Sequence, residues 1–357
     1  MKVALFSDLH AHPFAQYARV LPSGLGSRLQ DALDAVATVR RAASEAGAAA
    51  VVFGGDLFHT MSRLDVVALN GVFREVAAFG RAGLPVFLLV GNHDQAGRNG
   101  QHALEVFKTL DHVVVMDQPG WYSHRDAAAL GVYAVPYRED TNEVRALLSA
   151  IPPPPAICAR RLLLLHTGFD GARTGPHEYR MSSELAVGDV PDGFDFVLSG
   201  HYHLPQWLDE RRRIAYIGAL THQSWGDVNQ PRGYAIADLE RLTLERFESG
   251  APRFLRLEPG DLDPVRPGDF VEVVVPHDAD DSAVLAAQAG LASAAAGGGQ
   301  VVRAPAPEVS PAPRLSCAGT SELGALIEPY VKHVGAAPGA EAPLISLGHD
   351  LLRRAAA

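Results

Sequence analysis

The chain has 357 residues, 47% of them hydrophobic, which suffices for one large domain or two ordinary ones with a sizeable core. Its 41 acidic and 31 basic residues leave a net charge of −10, which speaks against a stand-alone nucleic-acid binder with a large basic field. Two cysteines, Cys158 and Cys317, exclude a disulfide framework and a Cys-rich zinc site, and fit a reducing compartment.

Over the first 200 residues, short apolar runs alternate with longer helical patterns. Strands are predicted at 2–6, 50–53, 86–90, 113–115, 132–135, 161–165 and 195–198. Helices are predicted at 28–46, 63–82, 101–109 and 141–150, the first with Leu29, Leu33 and Val36 on one face and Ser27 as its N-cap. This alternation indicates α/β layers. The Pro152–Pro155 run reads as a stiff surface connection. From about 206 to 258 short strands follow without helices, at 206–208, 214–217, 233–238 and 242–247, with Glu210–Arg213 as a hairpin turn. The Pro/Gly/Asp-rich stretch Pro259–Pro267 reads as a boundary, giving domains 1–260 and 261–357. The second would hold a strand at 269–275, a helix at 281–293 and a strand at 299–303. A linker at Pro305–Pro313 and helices at 321–334 and 343–355 complete it. No apolar run is long enough for a membrane span, and no signal peptide is apparent, so a cytoplasmic protein is expected.

The chemistry sits at the strand ends. Asp8 and His10 follow the first strand, Gly54-Gly55-Asp56 the second, and Gly91-Asn92-His93-Asp94 the third. His166 follows the run Leu162–Leu165, and Gly200-His201-Tyr202-His203 follows 195–198. Each piece alone has an ordinary reading: Asp56 as a helix cap, Asn92 as a turn residue, the histidines as surface side chains. Together they are hard to explain by chance, because ligands of an α/β sheet collect beyond the carboxyl ends of its strands. Carboxylates, an amide and imidazoles without thiolates suit Mn, Fe or Zn in a catalytic centre. Asp8, His10, Asp56, Asn92, His166, His201 and His203 are too many donors for one open ion. They suit two ions about 3.5–4 Å apart, which can clamp both oxygens of a phosphoryl transfer.

The order D-x-H, G-D, G-N-H-D, H, G-H-x-H over roughly residues 1–240 resembles the calcineurin-like metallophosphoesterases. The segment Gly55-Asp56-Leu57-Phe58-His59 is similar to the version in SbcD-type DNA double-strand-break repair nucleases. Tyr216–Ala219, Ser224-Trp225-Gly226-Asp227 and Arg232-Gly233-Tyr234 resemble their closing hairpin, in a phage-like form. The resemblance implies a two-sheet α/β sandwich with a small C-terminal α+β capping domain. It implies that Asp8, His10, Asp56 and His203 hold one divalent ion, and Asp56, Asn92, His166 and His201 the other. Mn is the first choice, with Fe or Zn as alternatives. His93 would be the general acid, Asp94 would orient it, and His59 would be a second imidazole lining the site. Of the other histidines, His12 and His222 lie nearest the motifs.

The expected function is then a Mn-dependent DNA nuclease. It would be an exonuclease on duplex ends and an endonuclease on single strands or hairpins, in DNA repair or recombination. An SbcC-type coiled-coil ATPase would be its partner, with 321–334 and 343–355 as docking candidates. A homodimer through 63–82 is also implied. Arg211–Arg213 is a candidate phosphate contact. The alternative is a small-molecule phosphodiesterase or phosphomonoesterase with the same dimetal centre, and a scaffold without activity ranks last. Two divalent ions would offset the acidity at the cleft. The remaining negative charge implies that a partner or dimer supplies much of the grip on DNA.

Overall fold

Apolar runs such as Lys2–Phe6 and Leu162–Leu165 lack strict alternation because their strands are buried on both faces. The computed structural model describes residues 1–61, 63–97, 100–182, 184–294, 296–306, 323–335 and 339–355. Cys317 and most of the expected linker Pro305–Pro313 lie outside them.

The chain begins with β1 (Lys2–Phe6), α1 (Ser27–Glu45), β2 (Ala50–Phe53), α2 (Val66–Arg81), β3 (Val86–Leu89) and β4 (Val113–Met116). Next come β5 (Gly120–Tyr122), β6 (Leu130–Val135), α3 (Thr141–Ser149), β7 (Arg160–His166) and the small hairpin β8 (Arg173–Thr174) and β9 (Tyr179–Arg180). They are followed by β10 (Phe196–Gly200), β11 (Gln206–Asp209), β12 (Ile214–Tyr216), β13 (Gly233–Asp238) and β14 (Thr243–Glu248). The run closes with β15 (Phe254–Leu257), β16 (Phe270–Val275), α4 (Asp281–Ser293) and β17 (Gly298–Arg303). Residues Met1–Arg303 form one compact unit.

Two six-stranded sheets, in the orders β14-β13-β1-β2-β3-β4 and β11-β12-β10-β7-β6-β5, pack face to face. Strand alternation divides the side chains between layers. Val3, Leu5, Val52, Phe87, Leu162 and Leu164 fill the space between the sheets. Ala4, Phe6, Val51 and Phe53 point the other way, onto Leu29, Leu33 and Val36 of α1 and Val72 and Val76 of α2. Leu163, Leu165 and Val197 pack on Val144 and Leu148 of α3. The architecture is the expected two-sheet α/β sandwich. β1 to β4 run parallel, as do β6, β7, β10 and β12, so their carboxyl ends gather at one edge of each sheet.

Several local expectations need correction. Gly26 caps α1, and the Ser27 hydroxyl instead accepts the Arg19 N–H at 3.1 Å. The helix expected at 101–109 is a 3-10 segment, Ala103–Thr109. Strands β5, β8, β9 and β15 were not expected, being two to four residues long and set among turn residues.

β15 matters most. It pairs in parallel with β16, which pairs with β17, and α4 covers one face through Val271, Val273 and Ala287. This three-stranded sheet therefore straddles residue 260. Asp269, 2% exposed, ties its two halves together. It accepts the main-chain N–H of Arg253 at 2.8 Å and of Arg266 at 2.9 Å, and the Arg253 guanidinium at 2.6 Å. Residues Ala304–Ala357 form a second unit, in which α5 (Leu323–His333) and α6 (Glu341–Ala355) pack on each other. No helix among the described residues is long and apolar enough to cross a membrane.

Replacing Asp269 with Ala should lower the unfolding free energy by about 2 kcal/mol, less than for a fully buried pair because Arg253 is partly exposed. Urea titration of the two proteins measures it. An unchanged midpoint would show that this carboxylate does not hold the sheet together.

Candidate functional site

The parallel strand ends deliver five loops to one place. Asp8 lies two residues beyond β1, Asp56 three beyond β2 and Asn92 three beyond β3, while His166 ends β7 and His201 follows β10. Asp8, His10 and His203 offer ligand atoms within 4.8 Å of one another, and so do Asp8, Asp56 and His166. Asn92 joins the second group through its Oδ1, 2.9 Å from His166 Nε2 and 3.2 Å from His201 Nδ1. All seven side chains expected at a dimetal centre thus meet in one cleft.

The backbone carries strain here. Asp8 (φ 48°), His10 (φ 48°), Asp56 (φ 61°) and His201 (φ 92°) all occupy the left-handed region, which non-glycine residues seldom adopt. Close packing explains two glycines. A Cβ on Gly55 would overlap the His166 ring, and one on Gly91 would overlap Asp56.

Hydrogen bonds set which nitrogens face the cleft. His166 Nδ1–H donates to the Gly54 carbonyl at 2.7 Å, so Nε2 points at Asp56 Oδ2, 3.4 Å away. His203 Nδ1–H donates to Asp227 at 3.1 Å, which aims Nε2 at His10 Nε2, 3.2 Å away. Two imidazole nitrogens this close need a proton or a cation between them. Asp8 Oδ2 is buried without a partner. An orphaned carboxylate oxygen, facing imidazole nitrogens and a carboxylate between two histidines are what divalent cations would satisfy, so these residues fit a dimetal centre.

Electrostatics agree. Burial pushes the Asp8 carboxyl up. Burial acts on Asp56 too, but His166 and His10 outweigh it and hold its carboxyl below the usual range. Burial opposes charge on His166, yet Asp56 and Asp8 push its imidazole up to about 9. Burial, with His166 beside it, takes His201 down to about 3.

Asp94 differs from expectation. Among the described residues, no bond joins it to His93. Its buried carboxylate accepts four backbone N–H groups: Asp56 (2.9 Å), Gly91 (3.0 Å), Leu57 (2.9 Å) and Phe58 (3.2 Å). The His93 ring is oriented instead by the His59 carbonyl, 2.6 Å from Nδ1. His93 packs edge-on against His10 at 4.7 Å and stacks on His59 at 5.7 Å. His12 lies beside His59, 5.4 Å between ring centres, and so belongs to the cleft wall. His222 does not: its Nδ1 accepts the Phe254 N–H at 3.4 Å, and burial and Arg232 take it down to about 4.

Arg212 and Arg213 of the expected phosphate-contact turn are occupied internally. Arg212 donates to the Val187 and Val190 carbonyls, and Arg213 to that of Asp195. A separate cluster of His102, Glu105 and Asp117 is already bridged by Lys108, at 2.9 Å and 2.7 Å from the two carboxylates.

Asp227, in the Ser224-Trp225-Gly226-Asp227 segment, is a functional residue that the resemblance leaves without a role. Burial raises its carboxyl, but the His203 bond and the Arg232 guanidinium outweigh this and hold it well below the usual range. Arg232 donates to it at 2.5 Å. Tyr137, beyond β6, is a further wall of the cleft, 5.8 Å from the His201 ring. The Trp-x-Asp motif was a signal for Asp227. Nothing in the local sequence marked Tyr137.

The family model for calcineurin-like phosphoesterases matches residues 1–205. The chain belongs to this family. The calcineurin-like phosphoesterases use a dimetal centre and hydrolyse phosphoesters. Phosphoesterase 078R of Invertebrate iridescent virus 3 is 29% identical over 181 residues, covering 49% of this chain and 48% of that protein. DNA double-strand break repair protein Mre11 of Haloferax volcanii is 28% identical over 228 residues, covering 61% and 48%. The Mre11 protein of Archaeoglobus fulgidus is 25% identical over 278 residues, covering 73% and 60%. The chain thus spans about half the length of the first two relatives and less than two thirds of the third.

Asp227→Asn should weaken binding of one divalent ion by about 10–100-fold while the other binds as before, because the carboxylate orients His203 and its other bonds go to Gln223, Ser224 and Arg232, none of them in the second group. Calorimetric titration with Mn²⁺ reads both. Equal weakening at both sites would contradict that orienting role.

Proposed function

We propose that this phosphoesterase is a Mn-dependent DNA nuclease of the SbcD type. It would trim duplex ends and cut single strands or hairpins, in repair or recombination. The carrying observation is the three-stranded sheet of β15, β16 and β17, which packs in the same compact unit as the cleft. A small-molecule phosphoesterase has no need of such an addition. The similarity to two archaeal Mre11 proteins and His59 stacked on His93 also support this reading.

In this reading Asp8, His10, Asp56 and His203 hold one ion and Asp56, Asn92, His166 and His201 the other. Divalent ions bound there would offset the charge that develops on the phosphoryl oxygens. The side chains do the rest. Asp56 is shared: Oδ2 lies 3.7 Å from His10 and 3.4 Å from His166. His93 has its Nδ1–H committed to the His59 carbonyl, so Nε2 is the nitrogen that can present a proton to the leaving oxygen. Asp94 fixes the two loops that carry Asp56 and His93. His59 backs the His93 ring and narrows that side of the cleft. An SbcC-type ATPase docking on α5 and α6, a second copy of the chain pairing through α2, and a cytoplasmic location complete the proposal.

A second reading, a phosphodiesterase or phosphomonoesterase for small molecules, is favoured by one observation: Arg212 and Arg213 are spent on internal carbonyls. Labelled duplex and single-stranded DNA and bis-p-nitrophenyl phosphate, each with Mn²⁺, separate the two. Hydrolysis of the small ester without DNA cleavage, even with a cognate ATPase present, would sink the nuclease reading.

His93→Ala should keep both ions, by elemental analysis, and lose about 10²–10⁴-fold in kcat. Full activity with both ions retained would remove His93 from the chemistry.

A further inference from the structure

Arg28, on the first turn of α1, is 8% exposed, and Asp31, one turn on, and Asp227 lie near enough to favour its charge. Its guanidinium sits in a cage of three rings. The carbon centre lies 4.5 Å from the Phe14 ring, 5.3 Å from Phe254 and 5.5 Å from Phe270. Phe14 belongs to the loop after Asp8 and His10, and Phe254 and Phe270 belong to β15 and β16. The quadrupole of an aromatic face attracts a cation, so the rings add to the fields of Asp31 and Asp227 in keeping this buried guanidinium charged.

The other side of Arg28 reaches the cleft. Nη2 donates to the Gln223 carbonyl at 2.7 Å. Gln223 in turn donates from Nε2 to the carbonyl of Leu9, the residue between Asp8 and His10, at 3.1 Å. Its main-chain N–H donates to Asp227 Oδ2 at 2.8 Å. Asp227 orients His203. One buried cation therefore touches the small sheet on one side. On the other it touches the segment that holds Leu9 and Asp227. The space beside Arg28 and His10 is only about 20 Å³, room for one water and not for a phosphate. Arg28 is therefore a positioning residue and not a contact for substrate.

We propose that Arg28 makes ion binding at Asp8, His10 and His203 depend on the docking of the β15–β17 sheet. The sheet's aromatic side chains hold the guanidinium, and the guanidinium holds Gln223. Loss of either link frees Leu9 and Asp227 to shift, and the ion-binding geometry shifts with them. The inference rests on the dimetal reading of the cleft.

The test is Mn²⁺ titration calorimetry and elemental analysis on the full chain. Arg28→Met keeps side-chain length but removes the charge and donors. It should weaken one of two equivalents at least tenfold, the same one that His203→Ala removes, and leave the other unchanged. Phe270→Leu, which alters the cage from the sheet side, should weaken the same equivalent. Arg28→Lys should fall between wild type and Arg28→Met, because the charge remains and the planar fork does not. Activity of Arg28→Met should recover in excess Mn²⁺. Two equivalents at wild-type affinity in Arg28→Met or Phe270→Leu, or proportional loss of both, would overturn the proposal. If Arg28→Met does not fold, Phe270→Leu and Arg28→Lys decide it on the same criterion. Fewer than two equivalents in the wild type would instead overturn the dimetal reading beneath it.

Discussion

The carboxylate of Asp94 accepts four backbone N–H groups from two loops, and the cleft depends on that arrangement. The loops after β2 and β3 come from neighbouring parallel strands, whose ladder ends before Asp56 and Asn92 begin. Beyond the ladder those amides need another acceptor, since a buried unpaired N–H costs about 1–3 kcal/mol. One carboxylate supplies it for all four. It also sets the distance between Asp56 and the His93 main chain, whose N–H then donates to Asp56 Oδ1 at 2.8 Å. Burial, with Asp56 adding to it, pushes the Asp94 carboxyl up to about 7 against the pull of those amides. Positive charge in the cleft would therefore strengthen the same tie.

Two carboxylates, one amide and four imidazoles packed beyond the strand ends are unfavourable as they stand. Asp8 keeps an oxygen without a partner, and His10 and His203 direct nitrogens at each other. Four of these residues hold left-handed backbone, each at a cost of order 1–3 kcal/mol. Divalent cations would reverse much of this by pairing the carboxylates and taking up the imidazole lone pairs. Ion binding and folding are then linked, and the scaffold beneath must be stiff enough to hold the strained geometry in the meantime. The two buried sheets provide that stiffness, with Phe6, Phe53 and Phe87 fully enclosed directly below the loops.

Strand ends were the legible part of this molecule. Lys2–Phe6, Ala50–Phe53 and Leu162–Leu165 are apolar on both faces and stop at Gly, Asp or His, so both the layers and the loops could be read from them. What escaped was short or non-local. β15 is four residues between Pro252 and Pro259, and only its pairing with β16 makes it a strand. Ser27 has the side chain of a cap, but the loop brings Arg19 to its hydroxyl and leaves the cap to Gly26. The role of Asp94 was misjudged for a related reason. Adjacency to His93 suggests a side-chain pair, whereas Asp94 turns inward to the amides and His93 turns to the His59 carbonyl. Asp227 and Arg28 act through partners about 24 and 195 residues away, His203 and Gln223, which no local pattern can reveal.

The composition is acidic, and 28 of its 31 basic residues are arginine, which acquires a physical meaning at the level of single side chains. Arg232 is bound to Asp227, Arg253 to Asp269, Arg256 to Glu272 and Arg145 to Asp189. Arg212 and Arg213 bind carbonyls, and Arg28 lies inside its aromatic cage. Guanidinium suits these posts because its planar fork satisfies several acceptors at once and tolerates burial better than an ammonium. These seven arginines are therefore engaged in the fold and not free to meet a phosphate backbone. The chain is net acidic, so attraction for a phosphoester must concentrate where divalent charge can be held, at the cleft itself. A chain built this way would recognise one phosphate strongly and its neighbours weakly. Under the nuclease proposal, hold on a polynucleotide would then have to come from the β15–β17 sheet, a second copy or a partner, and the cleft would supply the chemistry.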